Sequence, residues 1–79
     1  MLLAIDIGNT NITLGAFEEG HLKSTWRLAT DLRRLADEYG PLVSTMLPLK
    51  GVTPEDISDA CICSVVPPLT PVFEQMCTN

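Results

Sequence analysis

The first part of the chain carries the hydrophobic patterns of three β-strands. Residues 2–7 form a nearly unbroken apolar run that ends at Gly8, as expected of a strand buried on both faces. Residues 11–18 and 21–28 alternate between two faces, which is typical of strands in an antiparallel sheet. Gly20 lies in the short turn between them, where a positive φ is expected. The pattern therefore predicts an antiparallel meander.

A helical spacing of apolar residues follows the meander. Thr30 or Asp31 is predicted to cap a helix whose apolar stripe continues to Leu47. Gly40 and Pro41 lie within this stripe without changing its period. Because Pro41 lacks the N–H that would bond the carbonyl one turn earlier, we expect one kinked helix and not two.

The rest of the chain predicts one strand and one further helix. Residues 53–56 have the sequence Thr-Pro-Glu-Asp, which predicts a capped single helical turn. Residues 59–66 form a fourth strand that Pro67 ends, and Thr70 opens a final helix. The order predicts an α/β fold with a mixed sheet, in which the first strand is central and the fourth is parallel to it. The fourth strand is expected to be an unprotected edge.

Composition and charge narrow the classes of partner. Ten acidic residues oppose five basic ones among 79 residues, for a formal net charge of −5. This balance disfavours nucleic acid and anionic membranes as partners. The apolar start reaches Asp6 too early for a signal peptide, and no apolar run is long enough to span a bilayer. We therefore expect a cytoplasmic protein.

The three cysteines are Cys61, Cys63 and Cys77. Cys61 and Cys63 share one face of a predicted strand, so they are poorly placed to bridge each other. Their spacing with the single His21 does not match a zinc site. We interpret all three as reduced thiols in the core.

Several other side chains are interpreted as structural. Trp26 is expected to pack on the sheet, and Tyr39 is expected in the core with a satisfied hydroxyl group. His21 and Arg27 are expected to be exposed to solvent. Arg33 lies near a predicted helix start, where a cation opposes the helix dipole, so we expect it to have a partner.

The candidate chemistry lies at residues 6–11, which have the sequence Asp-Ile-Gly-Asn-Thr-Asn. Gly8 permits a sharp turn and a close approach of ligand, and backbone N–H groups in such a turn can bind phosphate oxygens. Asp6 would be repelled by phosphate directly, but a carboxylate at this position can hold a magnesium ion that contacts the phosphates. The alternative from these residues alone is a plain hairpin turn. A calcium loop of the EF-hand type is excluded because Phe17 occupies the position of its bidentate acid.

The ordered motifs resemble those of type III pantothenate kinases, within the superfamily of actin, sugar kinases and heat-shock ATPases. The motif at residues 6–11 is followed by Leu-Gly-Ala-Phe at 14–17 and Trp-Arg-Leu-Ala-Thr at 26–30. Ala-Asp-Glu-Tyr at 36–39 and Ser-Val-Val-Pro at 64–67 complete the set. A single Asp-x-Gly motif is weak, but this ordered set spans essentially the whole chain.

The resemblance implies a ribonuclease-H-like domain, with residues 1–79 as the partial amino-terminal domain of a duplicated enzyme. It implies transfer of the γ-phosphate of ATP to pantothenate, the first step of coenzyme A synthesis. It also implies Mg²⁺, a monovalent cation (K⁺ or NH₄⁺) and a homodimer. Asp6 is the implied catalytic, metal-linked acid. The implied ATP-binding residues are Asp6, Ile7, Gly8, Asn9, Thr10, Asn11, Ile12 and Thr13.

Parts of the family pattern are absent from these residues. The Gly-x-Asp-Arg motif with the presumed general base, the second phosphate motif, the potassium-binding acid and the second domain do not occur in the 79 residues. Phosphoryl transfer needs charge stabilisation from several sides, so we expect this chain to be inactive alone. The alternatives are a non-catalytic nucleotide-binding or regulatory relative, and a structural module without a ligand.

Overall fold

The structure is a computed structural model that describes residues 1–78. Its four strands and two α-helices occur in the predicted order. They are β1 (Leu2–Ile7), β2 (Asn11–Glu18), β3 (His21–Ala29), α1 (Ala36–Met46), β4 (Asp59–Ser64) and α2 (Thr70–Thr78). Short 3₁₀ turns at Leu47–Lys50, Pro54–Asp56 and Pro67–Leu69 connect them, the second of which confirms the predicted single turn.

The strands form one mixed sheet in the order β3-β2-β1-β4. β1 pairs with β2 in antiparallel register and with β4 in parallel register. The central position of β1 and the parallel fourth strand are therefore confirmed. A tight hairpin joins only antiparallel strands, and β4 runs parallel to its neighbour β1. The chain therefore reaches β4 from β3 through a helical crossover. The result is the mixed sheet of a ribonuclease-H-like α/β fold.

Both helices pack on the same face of the sheet. This face carries Leu3, Ile5 and Ile7 of β1, none of which is more than 4% exposed. Tyr39 of α1 and Phe73 of α2 join the same core, and their ring centroids lie 4.6 Å apart. The hydrophobic core is thus a single layer between the sheet and two helices.

The opposite face of the sheet is not covered by any element within residues 1–78. On this face Leu2 and Ala4 are only partly buried, and Asp6 is exposed. The prediction that β1 is buried on both faces is wrong for the described residues, because α1 and α2 lie on one side. The same geometry corrects the prediction for the cysteines: Cys61 and Cys63 pair with Ala4 and Asp6 on the uncovered face, and all three thiols are free and exposed.

The start of α1 differs from the prediction. The helix begins at Ala36, not after a cap at Thr30 or Asp31, and Leu35 is 63% exposed. Residues 30–35 instead form a connecting segment, because the side chain of Thr30 bonds the β1–β2 turn. Pro41 lies inside α1 without dividing it, which confirms one helix.

The end of β4 also differs from the prediction. The strand stops at Ser64, two residues before the predicted end at Val66. The Ser64 hydroxyl accepts a hydrogen bond from the Val66 N–H at 3.0 Å and donates to the Val66 carbonyl at 3.1 Å. This local pairing satisfies backbone groups that a continuing strand would use in the sheet.

Trp26, at 5% exposure, is buried on the helix-covered face as predicted.

Candidate functional site

The turn between β1 and β2 is built from the residues that the sequence singled out. The Gly8 N–H donates to the Asn11 carbonyl at 3.0 Å, which closes a connection of three residues between the strands. A Cβ at position 8 would lie 3.0 Å from that same carbonyl oxygen. Glycine is therefore needed here for close backbone approach, and this contact lies within the turn itself.

The tip of this turn presents unpaired backbone donors. Asn9 and Thr10 are exposed. Their N–H groups donate no hydrogen bond to another residue in the part of the chain that the structure describes. Exposed amide donors of this kind can be shared with the oxygens of an anion. The turn, here called the phosphate turn (residues 8–11), is therefore chemically able to bind a phosphate group.

Asp6 lies two residues before the phosphate turn, on the uncovered face of the sheet. Its Cα neighbours across the sheet are Thr13 on β2 and Cys63 on β4, and its carboxylate is exposed. In open α/β sheets, ligands bind beyond the carboxyl ends of parallel strands. Asp6 and the turn lie at that end of β1, so a ligand on the turn has access to this carboxylate.

The other residues of the predicted ATP-binding segment divide into two groups. Ile7 and Ile12 are fully buried and pair across β1 and β2, so only their backbone groups can face a ligand. Asn11 is exposed and Thr13 is half-buried. The buried pair anchors the two strands from which the turn projects.

A magnesium ion fits this arrangement with few protein ligands. Within residues 1–78, no three His, Cys, Asp or Glu side chains converge to hold a metal ion. Mg²⁺ usually keeps several waters and binds through one or two carboxylates together with substrate phosphates. Asp6 beside a turn with exposed amide donors matches that donor set, and a dedicated protein cage is not required.

Sequence reasoning missed the residue that holds the phosphate turn in place. The Thr30 hydroxyl donates to the Gly8 carbonyl at 2.7 Å, and the Thr30 N–H donates to the Thr10 carbonyl at 3.0 Å. The sequence pattern predicts a helix cap at Thr30 or Asp31, because Thr and Asp are common at that position. Only the tertiary pairing of β2 with β3 brings Thr30 beside the turn, so no local signal could identify this role.

The segment after Thr30 is fixed by Tyr39. The Tyr39 hydroxyl donates to the Asp31 carbonyl at 2.8 Å and accepts the Asp31 N–H at 3.1 Å. The residue is fully buried, which confirms the predicted core tyrosine with a satisfied hydroxyl group. The end of β3 is thereby attached to α1.

Asp31 is also the partner expected for Arg33. Its carboxylate accepts the Arg33 N–H at 2.9 Å and lies 3.3 Å from the Arg33 Nε and 3.9 Å from the Arg34 Nε. The Arg33 backbone N–H, with the Arg33 side chain next, lowers the pKa of Asp31 below its ordinary value of 3.8. The carboxylate stays ionised at neutral pH and balances the two arginines.

A cavity between α1 and β4 is separate from the phosphate turn. It has a volume of about 720 Å³, with Leu3, Gly40 and Asp59 in its lining. Leu3 and Asp59 belong to the amino-terminal ends of their strands, whereas the turn lies at the carboxyl end of β1. This cavity therefore contributes nothing to the candidate site.

The mixed sheet and the turn at the end of its central strand define a ribonuclease-H-like α/β domain with a candidate phosphate-binding turn. The family model described as type III pantothenate kinase matches residues 2–79. The chain belongs to the type III pantothenate kinase family, as its motifs predicted. Neither α1 nor α2 has the length and apolar character needed to cross a membrane.

Proposed function

We propose that this chain provides the first ATP-phosphate-binding segment of a type III pantothenate kinase. The observation that carries the proposal is the phosphate turn, where Asn9 and Thr10 present free N–H groups beside the exposed carboxylate of Asp6. Family membership supports ATP as the nucleotide and pantothenate as the acceptor. The ATP-binding segment is residues 6–13, with the backbone groups of the turn contacting the phosphates.

The reaction is transfer of the γ-phosphoryl group of ATP to the hydroxyl group of pantothenate. The bond between the γ-phosphorus and the bridging oxygen breaks, and a new bond forms between phosphorus and the hydroxyl oxygen. The hydroxyl proton passes to a general base, and ADP leaves. The amide donors of the turn hold and orient the phosphate chain for this displacement.

Asp6 is the residue of this chain that would hold Mg²⁺. When bound, the ion would neutralise part of the negative charge on the phosphates. We further propose a monovalent cation (K⁺ or NH₄⁺), a homodimer and a cytoplasmic enzyme, in keeping with the family. The residues for the monovalent cation and the general base are not among the 79 residues, so the isolated chain should not turn over.

A coupled kinase assay on the full-length protein tests this function. Asp6→Asn should abolish turnover, because the amide cannot hold the cation as a carboxylate does, while the fold is retained by circular dichroism. The matched control is Asp59→Asn, which should keep full activity. Asp59 is a carboxylate on the same sheet, but it lies at the amino-terminal end of β4, whereas Asp6 lies near the carboxyl end of the parallel strand β1. Unchanged turnover in Asp6→Asn would remove Asp6 from the mechanism.

Binding without turnover is the alternative function. It rests on one observation, that the exposed Asn9 and Thr10 N–H groups can bind phosphate oxygens without any catalytic group. Calorimetric titration with ATP and Mg²⁺ separates the cases. Binding with no phosphorylated pantothenate from the full-length protein would support a nucleotide-binding relative, and no binding at all would leave the turn as a structural hairpin.

A further inference from the structure

We infer that Thr30 is the positioning residue that aims the amide donors of the phosphate turn at the nucleotide. This inference rests on the proposed function, because it assigns a role to Thr30 in phosphate binding. The observation is the pair of hydrogen bonds from Thr30 to the carbonyls of Gly8 and Thr10.

The geometry of the peptide group converts these two bonds into an orientation of the donors. In a trans peptide the C=O and the following N–H point in opposite directions, and residues 1–78 contain no cis peptide bond. With the Gly8 carbonyl bonded to Thr30, the Asn9 N–H points away from Thr30. With the Thr10 carbonyl bonded to Thr30, the Asn11 N–H points away as well. Thr30 therefore fixes the peptide group that carries the Asn9 N–H and the peptide group that follows Thr10. The peptide group that carries the Thr10 N–H lies between these two fixed groups, which limits its orientation.

Thr30 can do this because it is itself held from two directions. It follows directly after β3, and the next residue, Asp31, is bound through both backbone groups to the Tyr39 hydroxyl. Tyr39 packs against Phe73, whose side chain is fully buried. The turn is thus connected through Thr30 and Asp31 to the buried Tyr39–Phe73 pair of the core.

The side-chain chemistry at position 30 is specific. A hydroxyl group is needed to donate to the Gly8 carbonyl, and the β-branch restricts χ1, so little side-chain freedom is lost when the bond forms. Valine has the same shape but cannot donate. Serine can donate but is less restricted. The Thr30→Val and Thr30→Ser pair therefore separates the hydrogen bond from packing.

The test combines nucleotide affinity with a direct view of the turn in the full-length protein. Calorimetry with ATP and Mg²⁺ should show affinity about tenfold weaker in Thr30→Val and within about threefold of the original in Thr30→Ser, in line with the loss of one hydrogen bond. KM for ATP should rise by the same factor in Thr30→Val. The amide signals of Asn9 and Thr10 in two-dimensional NMR should shift or broaden in Thr30→Val.

Thr45→Val is the matched control, because the Thr45 hydroxyl also donates to a backbone carbonyl, that of Pro41 at 2.8 Å, but within α1. It should leave affinity and the turn signals unchanged. If Thr30→Val does not fold, Tyr39→Phe tests the same connection, and about threefold weaker ATP affinity is expected.

The outcomes separate the two proposals. ATP binding by Thr30→Val with unaltered affinity, KM and turn signals would overturn the role of Thr30 and leave the proposed function in place. No ATP binding by the unaltered protein would overturn the proposed function and the role of Thr30 in it, even if Thr30→Val still shifts the turn signals.

Discussion

A single hydroxyl group, that of Tyr39, satisfies both the N–H and the carbonyl of Asp31, at 3.1 and 2.8 Å. These two bonds attach the end of β3 to α1, although the residues between them form no helix or strand. Because Asp31 follows Thr30, the same attachment supports the phosphate turn. Tyr39 in the core is therefore linked to the phosphate turn by hydrogen bonds through Asp31 and Thr30.

Removal of this hydroxyl should destabilise the protein without disturbing the ring. Tyr39→Phe leaves two part-buried backbone groups of Asp31 without their partner, which typically costs about 1–3 kcal/mol. Urea denaturation should show this loss in the free energy of unfolding, with an unchanged dependence on denaturant concentration. An unfolding free energy equal to that of the original protein would show that water replaces the hydroxyl at no cost.

Gly8→Ala should distort the phosphate turn. The added Cβ would lie 3.0 Å from the Asn11 carbonyl oxygen, so this carbonyl must shift by a few tenths of an ångström, at a cost of about 1–3 kcal/mol. ATP affinity should fall together with the free energy of unfolding. Gly40→Ala is the control, because its Cβ would find its nearest contact at 3.8 Å, on Met76, and alanine favours a helix. Normal ATP affinity in Gly8→Ala would contradict the role of this turn.

The stability contributed by Asp31 should depend on pH. Its pKa is lowered in the folded state, chiefly by the Arg33 backbone N–H, so its contribution is present above the ordinary pKa of 3.8. That contribution is lost as the pH falls through the lower folded pKa. Denaturation at pH 7 and at pH 2 should show that Asp31→Asn destabilises the protein only at the higher pH.

Arg33→Gln should retain most of this pH dependence, because the replacement keeps the backbone N–H that is the largest cause of the pKa shift. The Arg33 side chain is 92% exposed, and exposed ion pairs contribute little. A complete loss of the pH dependence in Arg33→Gln would show that the guanidinium group dominates.

The thiols should be accessible without denaturant. Cys61 and Cys63 are exposed on the uncovered face, and Cys77 is exposed on α2. The Cys77 thiol is partly shielded from water by its neighbours, and this partial burial raises its pKa. Its thiolate is therefore scarcer near neutral pH, and Cys77 should react more slowly. Titration with a chromogenic disulfide reagent should find three thiols, with one slower phase that disappears in Cys77→Ser. Thiols that react only in denaturant would contradict the exposed positions on the sheet.

The strands and their order could be predicted well, because the core residues of β1, β2 and β3 lie on one face of the sheet and are apolar. The uncovered face could not be predicted from β1 alone. Leu2 and Ala4 are as apolar as the buried Leu3 and Ile5, so the strand appears two-sided in sequence. Which face is covered depends on where the helices pack.

The start of α1 could not be predicted either. Thr30 and Asp31 have the composition of a helix cap, but their polar groups are used by Gly8 and by Arg33. Tertiary contacts therefore override the local preference of Thr and Asp for a helix cap. The phosphate turn was identified from its residues and from the family resemblance, whereas its support by Thr30 depends on strand pairing that only the structure shows.

Phosphate binding by the turn is tested best by a crystal structure of the full-length protein with a non-hydrolysable ATP analogue and Mg²⁺. We expect phosphate oxygens within hydrogen-bonding distance of the Asn9 and Thr10 N–H groups, with the cation or its waters bound to Asp6. A bound analogue whose phosphates lie away from residues 8–11, with the turn left to solvent, would contradict phosphate binding by the turn.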